Sequence, residues 1–480
     1  MGLRVELVVA ALVFLLIYIY TLRSNLSHLP GPWHSRWTRA ILTWNQLNGR
    51  APEYVHSLHE KYGRIVRISP YEVDVADIPS VRRIHQIKGE FRKSAFYDFL
   101  GVDNLNVFTA TDPVFHRQRR RLLSSPISES SLMSMVPIID ARIRQAIERM
   151  KEEMLQRHTV DILKWWMFMA TDVIGELSFG ESFRMLDLGK KNQYIDDLES
   201  IGIVTGILTC FPFLFQVSHY IPLPFVKKAN LSRQNTARYA DESIRRYKLH
   251  LAANPSNPKA TLFTKLYKAG EEGLRDEEIR NEARAYIIAG SDTTANTLTY
   301  LIWSVCRNRD LKKRLVEEVA ALPADFSVTT LAQLPMLNNV LSETLRLYSA
   351  AQAGLPRVVP PNGVEFGGFW IPGGTVTLTQ AYTLHRDGSV FHDPLKFDPS
   401  RWEHPTKEMK DAYMPFGGGS RVCIGSHLAK MELRLGIAHF FRAFPSADIS
   451  IRENMSDEDM KPLQYFLLTP KGHRCLVDVS

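Results

Sequence analysis

The chain has 480 residues, of which 45% are hydrophobic and 23% charged, a composition typical of a globular protein that is long enough for one large fold. Its four cysteines are scattered, which excludes a disulfide framework and favours a reducing compartment. The formal net charge of +8 suits nucleic acid, an anionic membrane surface or an acidic protein partner. Because the sequence contains no nucleic-acid-binding motif, we expect no nucleic acid and assign the charge to membrane proximity and docking.

The first predicted element is an apolar segment near the N-terminus. Residues 7–22 are almost wholly apolar, and at about 1.5 Å per residue they give a helix of about 24 Å, a little shorter than a typical hydrocarbon core. A cleaved signal peptide is the alternative, but the segment ends in bulky residues without a small-x-small cleavage pattern. We predict an uncleaved single-pass anchor over residues 5–22. Three arginines follow it within residues 23–39 and one precedes it, which places the body on the cytoplasmic side of the endoplasmic reticulum membrane.

A hinge and a large body follow the anchor. Residues 23–33 predict a stiff, non-helical hinge, because two prolines flank a glycine. We interpret residues 34–480 as one domain, mainly α with a minor antiparallel β region. Helices are predicted at residues 51–62, 134–156, 276–307, 311–322, 337–348 and 426–444. Strands are predicted at residues 64–68 and 72–75 and within 358–384.

A polar cluster interrupts the longest predicted helix at residues 289–294, read Ala-Gly-Ser-Asp-Thr-Thr. Glycine costs about 1 kcal/mol in a helix interior, and Asp and Thr are mediocre helix formers. Such a local inconsistency is typical of functional sites. A threonine hydroxyl can donate to the carbonyl one turn earlier and open the helix to water, and Asp292 adds a titratable acid. The alternative is a polar kink that only packs against another helix.

The most informative segment is residues 416–425, read Phe-Gly-Gly-Gly-Ser-Arg-Val-Cys-Ile-Gly. Its glycines permit a tight backbone and the close approach of a large flat group. Cys423 in such a loop, with Arg421 two residues before it, is suited to act as a thiolate ligand, for example of haem iron. The alternatives are a buried structural cysteine and a zinc site with His427, which lacks further ligands nearby in the sequence.

This loop resembles the cysteine-ligand loop of the cytochrome P-450 haem-thiolate family, whose pattern is Phe-x-x-Gly-x-Arg-x-Cys-x-Gly. The residues that match it are Phe416, Gly419, Arg421, Cys423 and Gly425. The resemblance covers residues 30 to about 444 and implies the cytochrome P-450 fold, with haem b bound through the Cys423 thiolate. Residues 28–33 look like the proline-rich hinge of membrane-bound members. The overall style is similar to fungal members that modify polyketides, terpenes or alkaloids.

The resemblance also implies roles for polar residues elsewhere. Residues 289–294 look like the family's oxygen-activation motif, so Thr293 would hydrogen-bond dioxygen and Asp292 would gate protons toward it. Haem carries two propionates, and buried anions need cations or hydrogen-bond donors. The cofactor-binding residues implied by the resemblance are His116, Arg120, Arg357, Phe416, Arg421 and Gly425. His116 stands where the family usually has Trp, and a basic solvated helix face is the alternative for it.

A third motif is structural. An isolated Glu–Arg pair three residues apart on a helix is usually a surface contact worth a few tenths of a kcal/mol. Here Glu343 and Arg346 resemble the family's Glu-x-x-Arg helix, which pairs with a downstream arginine supplied by Arg401. This chain has Ser400 where Glu is common and Trp402 where Phe is common. We assign Glu343, Arg346 and Arg401 to a network that braces the haem loop, without a catalytic role.

The implied function is a monooxygenase that inserts one oxygen atom from O2 into a C–H bond of an apolar small molecule. The chain shows no flavin or nucleotide fingerprint, so its electrons would come from NADPH through a separate membrane-bound reductase or cytochrome b5. The candidate docking charges are Arg117, Arg119, Lys430 and Arg434. Substrate walls are predicted within residues 96–108, 203–215, 286–293 and 350–355.

Two other functions stay open at this point. One is a haem-thiolate isomerase or dehydratase that works without a reductase. The other is a non-catalytic haem or membrane protein. The pair Asp292 and Thr293 favours the monooxygenase, because reductase-free relatives tend to lose it.

Overall fold

The structure is a computed structural model that describes residues 6, 12–15, 25–100, 105–211, 224–253, 261–264 and 274–479. Within these ranges the chain is mainly helical with small β-sheets, as the sequence predicts. It divides into two compact units. The first contains the described residues up to 96 together with 352–394 and 407–422, and the second contains residues 97–351, 395–406 and 423–480.

The strands are short and are numbered in chain order. They are β1 (Ile65–Ser69), β2 (Glu72–Val75), β3 (Arg92–Lys93), β4 (Val160–Asp161), β5 (Arg357–Val358), β6 (Val364–Phe366), β7 (Phe369–Ile371), β8 (Val376–Leu378), β9 (Asp448–Ile449), β10 (Pro462–Gln464), β11 (Leu468–Pro470) and β12 (Leu476–Asp478).

The first unit is built around a five-stranded sheet of order β1-β2-β8-β5-β3. Its α-helices are Ala40–Leu47, Ala51–Tyr62, Ile78–Ile84, Ala381–Leu384 and Lys407–Ala412. The predicted hairpin is confirmed, because β1 and β2 pair antiparallel with Ile65 opposite Val75. The antiparallel strands predicted within residues 358–384 are confirmed, because β5 pairs antiparallel with β8 and β6 pairs antiparallel with β7. The prediction was incomplete in two respects. β2 and β8 pair in parallel, and residues 381–384 are a short helix, because pairing between distant segments leaves no trace in local alternation.

The second unit is mainly helical. Its α-helices, with the first bridging the two units in sequence, are Phe96–Leu100, Pro113–Ser124, Glu129–Leu132, Val136–Arg157, Ile162–Phe179, Met185–Leu188, Gln193–Cys210, Pro224–Ala253, Asp276–Cys306, Arg309–Ala320, Val328–Leu331, Pro335–Tyr348 and Ser426–Ala443. Two small sheets accompany them, with strand orders β4-β12-β9 and β10-β11.

The helix Asp276–Cys306, called here the long helix, runs through the middle of the second unit and packs along the helix Ile162–Phe179. Gly290 makes this packing close, since a Cβ atom at that position would lie 3.1 Å from Ile174 Cγ1. On another side, Thr294 Oγ1 donates to Glu432 Oε2 at 2.9 Å. Glu432 belongs to the helix Ser426–Ala443, called here the ligand helix because it follows Cys423. The long helix is therefore fixed on two sides.

Some predicted segments fall on residues that the structure does not describe. The anchor predicted at residues 5–22 lies outside the described residues except for residues 6 and 12–15. In the described part of the chain, no helix combines the length and the apolar character needed to cross a membrane. Of the predicted hinge, residues 25–32 form turns without a regular helix or strand. Of the wall predicted at residues 203–215, the last four residues lie outside the described part.

Candidate active site

The backbone before Cys423 needs its glycines. Gly417 and Gly419 adopt φ values of +71° and +62°. Residues other than glycine rarely adopt this left-handed conformation. A Cβ atom on Gly419 would lie 1.6 Å from the carbonyl oxygen of His85, so only glycine fits there. A short 3-10 turn over Gly419–Arg421 follows. Within the first unit the loop is thus held tightly against the end of the helix Ile78–Ile84.

The environment of Cys423 differs from that of a structural cysteine. Its side chain is exposed, whereas Cys306 and Cys475 are 2% and 0% exposed. A Cβ atom on Gly425 would meet only the Cys423 sulfur, at 3.9 Å, so open space lies beside that sulfur. Desolvation by the surrounding protein atoms raises the pKa of Cys423 even though its side chain borders open space, while the Gly425 N–H and the charge of Arg120 act in the opposite direction. A coordinated metal ion deprotonates a thiol outright, so this sulfur fits an iron ligand.

The helix Pro113–Ser124 supplies the positive charge near Cys423. It begins behind Asp112, whose carboxylate accepts hydrogen bonds from the Val114 and Phe115 N–H groups. His116 is buried on this helix. Burial lowers the pKa of Arg120, and the neighbouring Cys423 raises it. The structure therefore places Arg120 within electrostatic reach of the sulfur in the second unit.

Arg119, the residue before Arg120, was predicted as a docking charge but forms buried ion pairs instead. It is 5% exposed and lies 2.6 Å from Glu278 and 3.6 Å from Glu282 of the long helix. Glu282 also accepts a hydrogen bond from the Val107 N–H, and burial raises the pKa of Glu282 to about 7. The prediction of Arg119 as a docking charge was wrong, because a buried and paired cation offers nothing to a partner.

The long helix presents an open face in the middle of its length. Ile288 is 41% exposed, Ala289 is exposed, and Asp292 and Thr293 are half-buried. Residues spaced one, four and five apart lie on one side of a helix, so these four share a face. Thr293 Oγ1 donates to the Ala289 carbonyl at 2.6 Å, the predicted bond one turn back. Gly290 lies on the other side of the helix and packs against Ile174. The same segment therefore packs against a neighbouring helix on one side and leaves the opposite side open.

Glu343 is the centre of a buried hydrogen-bond network in the second unit. Arg346 donates to both of its carboxylate oxygens, each at 2.8 Å, and Arg401 Nε donates at 3.0 Å. The Asp398 N–H and the Trp402 indole N–H donate at 2.8 and 3.0 Å. Glu343 and Arg346 are both 0% exposed. Trp402, where Phe is common, therefore adds a donor that Phe cannot supply, which the sequence comparison did not reveal.

A cluster of cations lies inside the first unit. Lys93 on β3 stands opposite Arg357 on β5, and these residues are 7% and 4% exposed. Burial lowers the pKa of Lys93 well below its usual range, and the charges of Arg357 and Arg421 lower it further. Burial beside Arg357 also lowers the pKa of His85 to about 3. Buried like charges favour a bound anion, so this cluster fits carboxylates such as haem propionates.

Sequence reasoning missed Lys93 in this cluster. Its strand has two residues, too few for a recognisable alternation, and its partner strand lies far along the chain. In the sequence Lys93 is only a lysine between Phe91 and Phe96, which indicates nothing on its own. Phe416 is half-buried in the same unit. Cys423 does not belong to a cluster of zinc ligands, because the described residues contain no group of three or more His, Cys, Asp or Glu side chains that could hold a metal ion.

Comparison with known proteins decides the family. The family model described as Cytochrome P450 matches residues 30–477. The chain belongs to the cytochrome P450 family. It is 48% identical over 477 residues to "Cytochrome P450 monooxygenase tazI" of Aspergillus terreus, covering 98% of both chains. It is 43% identical over 474 residues to "Cytochrome P450 monooxygenase orf2" of Aspergillus niger, covering 98% of this chain and 96% of the relative.

A more distant relative has the same family name. The chain is 34% identical over 469 residues to "Cytochrome P450 monooxygenase stcB" of Emericella nidulans, covering 95% of this chain and 89% of the relative. The protein is thus a cytochrome P450 monooxygenase, an oxidoreductase whose family implies haem with a cysteine thiolate ligand and the use of O2.

Proposed function

We propose that this P450 inserts one oxygen atom into a C–H bond of an apolar small molecule in fungal secondary metabolism. The open face of the long helix carries this proposal. It places the apolar side chains of Ile288 and Ala289 beside the acid and hydroxyl of Asp292 and Thr293. Apolar side chains next to a carboxyl and a hydroxyl group suit the binding of an apolar substrate beside groups that deliver protons. The fungal origin of the relatives supports the assignment to this type of metabolism.

Several residues are proposed to hold haem. In the second unit, Cys423 is the proposed iron ligand, and Arg120 and the buried His116 are proposed donors to a propionate. In the first unit, Arg357 and Arg421 are the proposed cationic partners, and Lys93 joins them on the basis of its burial beside both charges. The half-buried Phe416 and Gly425 would shape the loop around the sulfur. Haem bound in this way supplies the activation of dioxygen.

Thr293 and Asp292 are proposed to manage protons. The Thr293 hydroxyl donates its proton to the Ala289 carbonyl, so its oxygen lone pairs point away from that bond and can accept a hydrogen bond at the open face. Asp292 lies next to it and is half-buried, so its carboxyl group can exchange protons with water. The two side chains together can carry protons to the site while Ile288 keeps the substrate side apolar.

Electrons are proposed to come from NADPH through a separate reductase, with cytochrome b5 as a second donor, at the endoplasmic reticulum membrane. Arg117 and Lys430 are exposed and stay candidates for docking. Arg434 is half-buried and donates to Asn338 Oδ1 at 2.8 Å, so it is less accessible to a partner than Arg117 and Lys430. Complementary charges of this kind act mainly on the rate of association.

The experiment measures NADPH and O2 consumption by the full-length P450 with added reductase and a series of apolar candidate substrates. Metabolite profiling after deletion of the coding sequence selects the candidates, because the accumulated precursor is the substrate. We expect product formation that requires both NADPH and O2, with one atom of labelled dioxygen in the product. Product formed without either would instead support the reductase-free isomerase or dehydratase.

A further inference from the structure

A buried carboxyl group of the long helix holds a loop that belongs to the predicted substrate wall. Glu282 is 0% exposed, and its two carboxyl oxygens accept the Val107 N–H at 2.9 and 3.1 Å. Val107 belongs to residues 105–110, called here the wall loop, which precede the helix Pro113–Ser124. The wall loop is therefore tied to the long helix by a hydrogen bond between residues 175 positions apart in the sequence.

One asparagine folds the wall loop on itself. Asn106 Oδ1 accepts from the Phe108 and Thr109 N–H groups at 2.9 and 3.1 Å, and the Asn106 N–H donates to Thr109 Oγ1 at 3.1 Å. Asn106 and Thr109 are 1% and 4% exposed. A turn held by a side chain in this way fixes the backbone without a helix or a strand. Because the turn fixes Val107 and Phe108 relative to each other, a shift at Val107 also moves the Phe108 ring.

The wall loop presents apolar side chains on its exposed side. Leu105 and Phe108 are 50% and 42% exposed. The Phe108 ring lies edge to face with Tyr97, with ring centroids 5.6 Å apart, and with Phe466, with ring centroids 6.0 Å apart. Phe466 lies in the turn between β10 and β11, and β11 packs against the long helix. The wall loop and this turn therefore meet through aromatic rings in the second unit.

The charges that face Glu282 do not offset its burial. Arg119 lies 3.6 Å from its carboxyl group and also pairs with Glu278, while residues 105–111 contain no titratable side chain. Tyr286, one turn further along the long helix, is buried, and burial raises its pKa well above the usual range, so it stays neutral. Burial raises the pKa of Glu282 to about 7, although the backbone hydrogen bond and the charge of Arg119 act to lower it. Removal from water thus outweighs both of these partners.

The position of the wall loop is coupled to the proton on Glu282. With the loop in place, Glu282 lies out of water and keeps its proton up to a pH of about 7. When the loop moves away, the carboxyl group reaches water and its pKa returns toward the ordinary value of about 4.3. Proton binding therefore favours the closed loop. This stabilisation is fully present below the lower pKa and is lost as the pH rises through about 7.

We propose that Glu282 is a positioning residue that sets the wall loop against the long helix, and that loss of its proton releases the loop and the Phe108 ring from Phe466. A protonated carboxyl group still has an oxygen that accepts the Val107 N–H, so the closed loop keeps its hydrogen bond. An ionised carboxylate in the same place has lost its water and regains it when the loop moves away. Because residues 96–108 are a predicted substrate wall, the consequence for substrate entry rests on the proposed function and deepens it.

The test measures hydrogen–deuterium exchange of peptides that cover residues 105–111 in the full-length, haem-loaded protein. The protection factor compares the observed exchange rate with the rate of an unstructured peptide at the same pH, which removes the intrinsic pH dependence of exchange. We expect it to fall by up to about tenfold from about pH 6 to about pH 8, the change that pKa values of about 7 and about 4.3 give for the two positions of the loop. A protection factor that stays constant or rises over this range in the unaltered protein would overturn the inference without the need for a variant.

Two substitutions on the same helix assign the pH dependence to its residue. Glu282→Gln keeps an oxygen that accepts the Val107 N–H and carries no titratable proton, so its protection factor should stay high and independent of pH. The matched control is Glu278→Gln, four residues earlier, which also removes a carboxylate beside Arg119. We expect this control to keep the pH dependence of the unaltered protein. The unaltered pH profile in Glu282→Gln, or a flat profile in Glu278→Gln, would show that Glu282 does not control the loop.

A third pair of variants tests the ring contact. Phe466→Leu removes the edge-to-face contact with Phe108 and should lower the protection of the wall loop at about pH 6 by roughly two- to tenfold. Tyr465→Leu, at a neighbouring side chain that is 53% exposed, should leave it unchanged, and equal effects of the two variants would overturn the role of the contact.

These readouts need neither a substrate nor a reductase. A protein that shows the expected pH profile but consumes no NADPH or O2 with reductase would remove the proposed function and leave the position of Glu282 standing. An active monooxygenase with a flat profile would keep the proposed function and remove this inference.

Discussion

Substitution of Asp292 should affect proton delivery without affecting haem binding. Replacing it by Asn keeps the size and removes the exchangeable acid beside Thr293. Because a positioned proton donor contributes at least about a hundredfold to a rate, we expect Asp292→Asn to lower turnover about a hundredfold and to divert O2 into peroxide. Product formation and peroxide are measured per NADPH consumed, with the carbon-monoxide spectrum as a check on haem.

Ser291→Ala is the matched control for Asp292. Ser291 is one residue away, and its hydroxyl donates to the Ile287 carbonyl at 2.8 Å on the packed side of the long helix. Turnover should stay close to that of the unaltered enzyme. A normal rate and normal peroxide yield for Asp292→Asn would show that this acid does not supply protons.

Substitution of Glu343 tests how much the buried hydrogen-bond network contributes to stability. Its carboxylate joins the helix Pro335–Tyr348 to residues 398–402 through Arg401, Trp402 and the Asp398 N–H. Removing one partner of a buried ion pair costs about 3–5 kcal/mol, so Glu343→Ala should lower the free energy of unfolding by that order. The measurement is urea denaturation of the purified protein.

The control for this substitution is Glu403→Ala. Glu403 faces Arg314 at 3.9 Å, and both side chains are about half exposed. Exposed pairs of this kind change stability by at most about 1 kcal/mol. Similar losses for both variants would mean that the network adds nothing beyond a surface contact.

The contact between the long helix and the ligand helix predicts a pH dependence. Burial raises the pKa of Glu432 to about 8, although the hydrogen bond from Thr294 acts to lower it. The folded protein therefore holds a proton that the unfolded chain releases near its ordinary pKa of about 4.3. The stabilisation is fully present below the unfolded pKa and is lost as the pH rises through about 8.

We accordingly expect the free energy of unfolding to fall as the pH rises from about 5 to about 8. Glu432→Gln keeps an acceptor for Thr294 and carries no titratable proton, so this part of the pH dependence should vanish. Thermal unfolding at several pH values measures it for both proteins. A variant with the same pH profile as the unaltered protein would show that Glu432 titrates normally.

The elements that the sequence predicted well share strong local signals. The helices at 51–62, 276–306 and 426–443 carry clear caps, acidic starts or a glycine at one end, and the structure confirms them. The helix Ile162–Phe179 was not predicted, because nearly all of its residues are buried and it therefore lacks the polar side that makes a helix recognisable. Strands β3 and β8 were missed or mispaired because their partners are distant in sequence.

In the candidate site, too, residues in local motifs could be predicted from the sequence, whereas residues that depend on distant contacts could not. Cys423, Asp292 and Thr293 lie in motifs with fixed spacing and could be selected from sequence alone. Lys93, Trp402 and the pairing of Arg119 could not, because each depends on contacts between segments that fold together. A side chain's charge is visible in the sequence, whereas its burial is not.

For the whole molecule, the net charge of +8 predicts a docking behaviour that depends on salt. Reversing the exposed charges of Arg117 and Lys430 to Glu should slow the first reduction of haem by the reductase, more at low than at high ionic strength. Stopped-flow reduction under carbon monoxide measures this rate. Lys313→Glu, at a side chain that is 75% exposed, is the control for a general effect of charge.

Unchanged reduction of the Arg117 and Lys430 variants, or an equal effect of Lys313→Glu, would place the docking surface elsewhere. Arg119 is left out of this set because it is buried against Glu278 and Glu282. Its substitution would disturb the fold before it affected a partner.

The most direct measurement is the carbon-monoxide spectrum of the reduced protein, compared between the unaltered chain, Cys423→Ser and the control Cys210→Ser. A haem held by a thiolate would give a Soret band shifted far to the red in this spectrum. We predict this band for the unaltered chain and for Cys210→Ser, and its loss in Cys423→Ser. A Cys423→Ser protein that keeps both the red-shifted band and its turnover would contradict the assignment of the iron ligand.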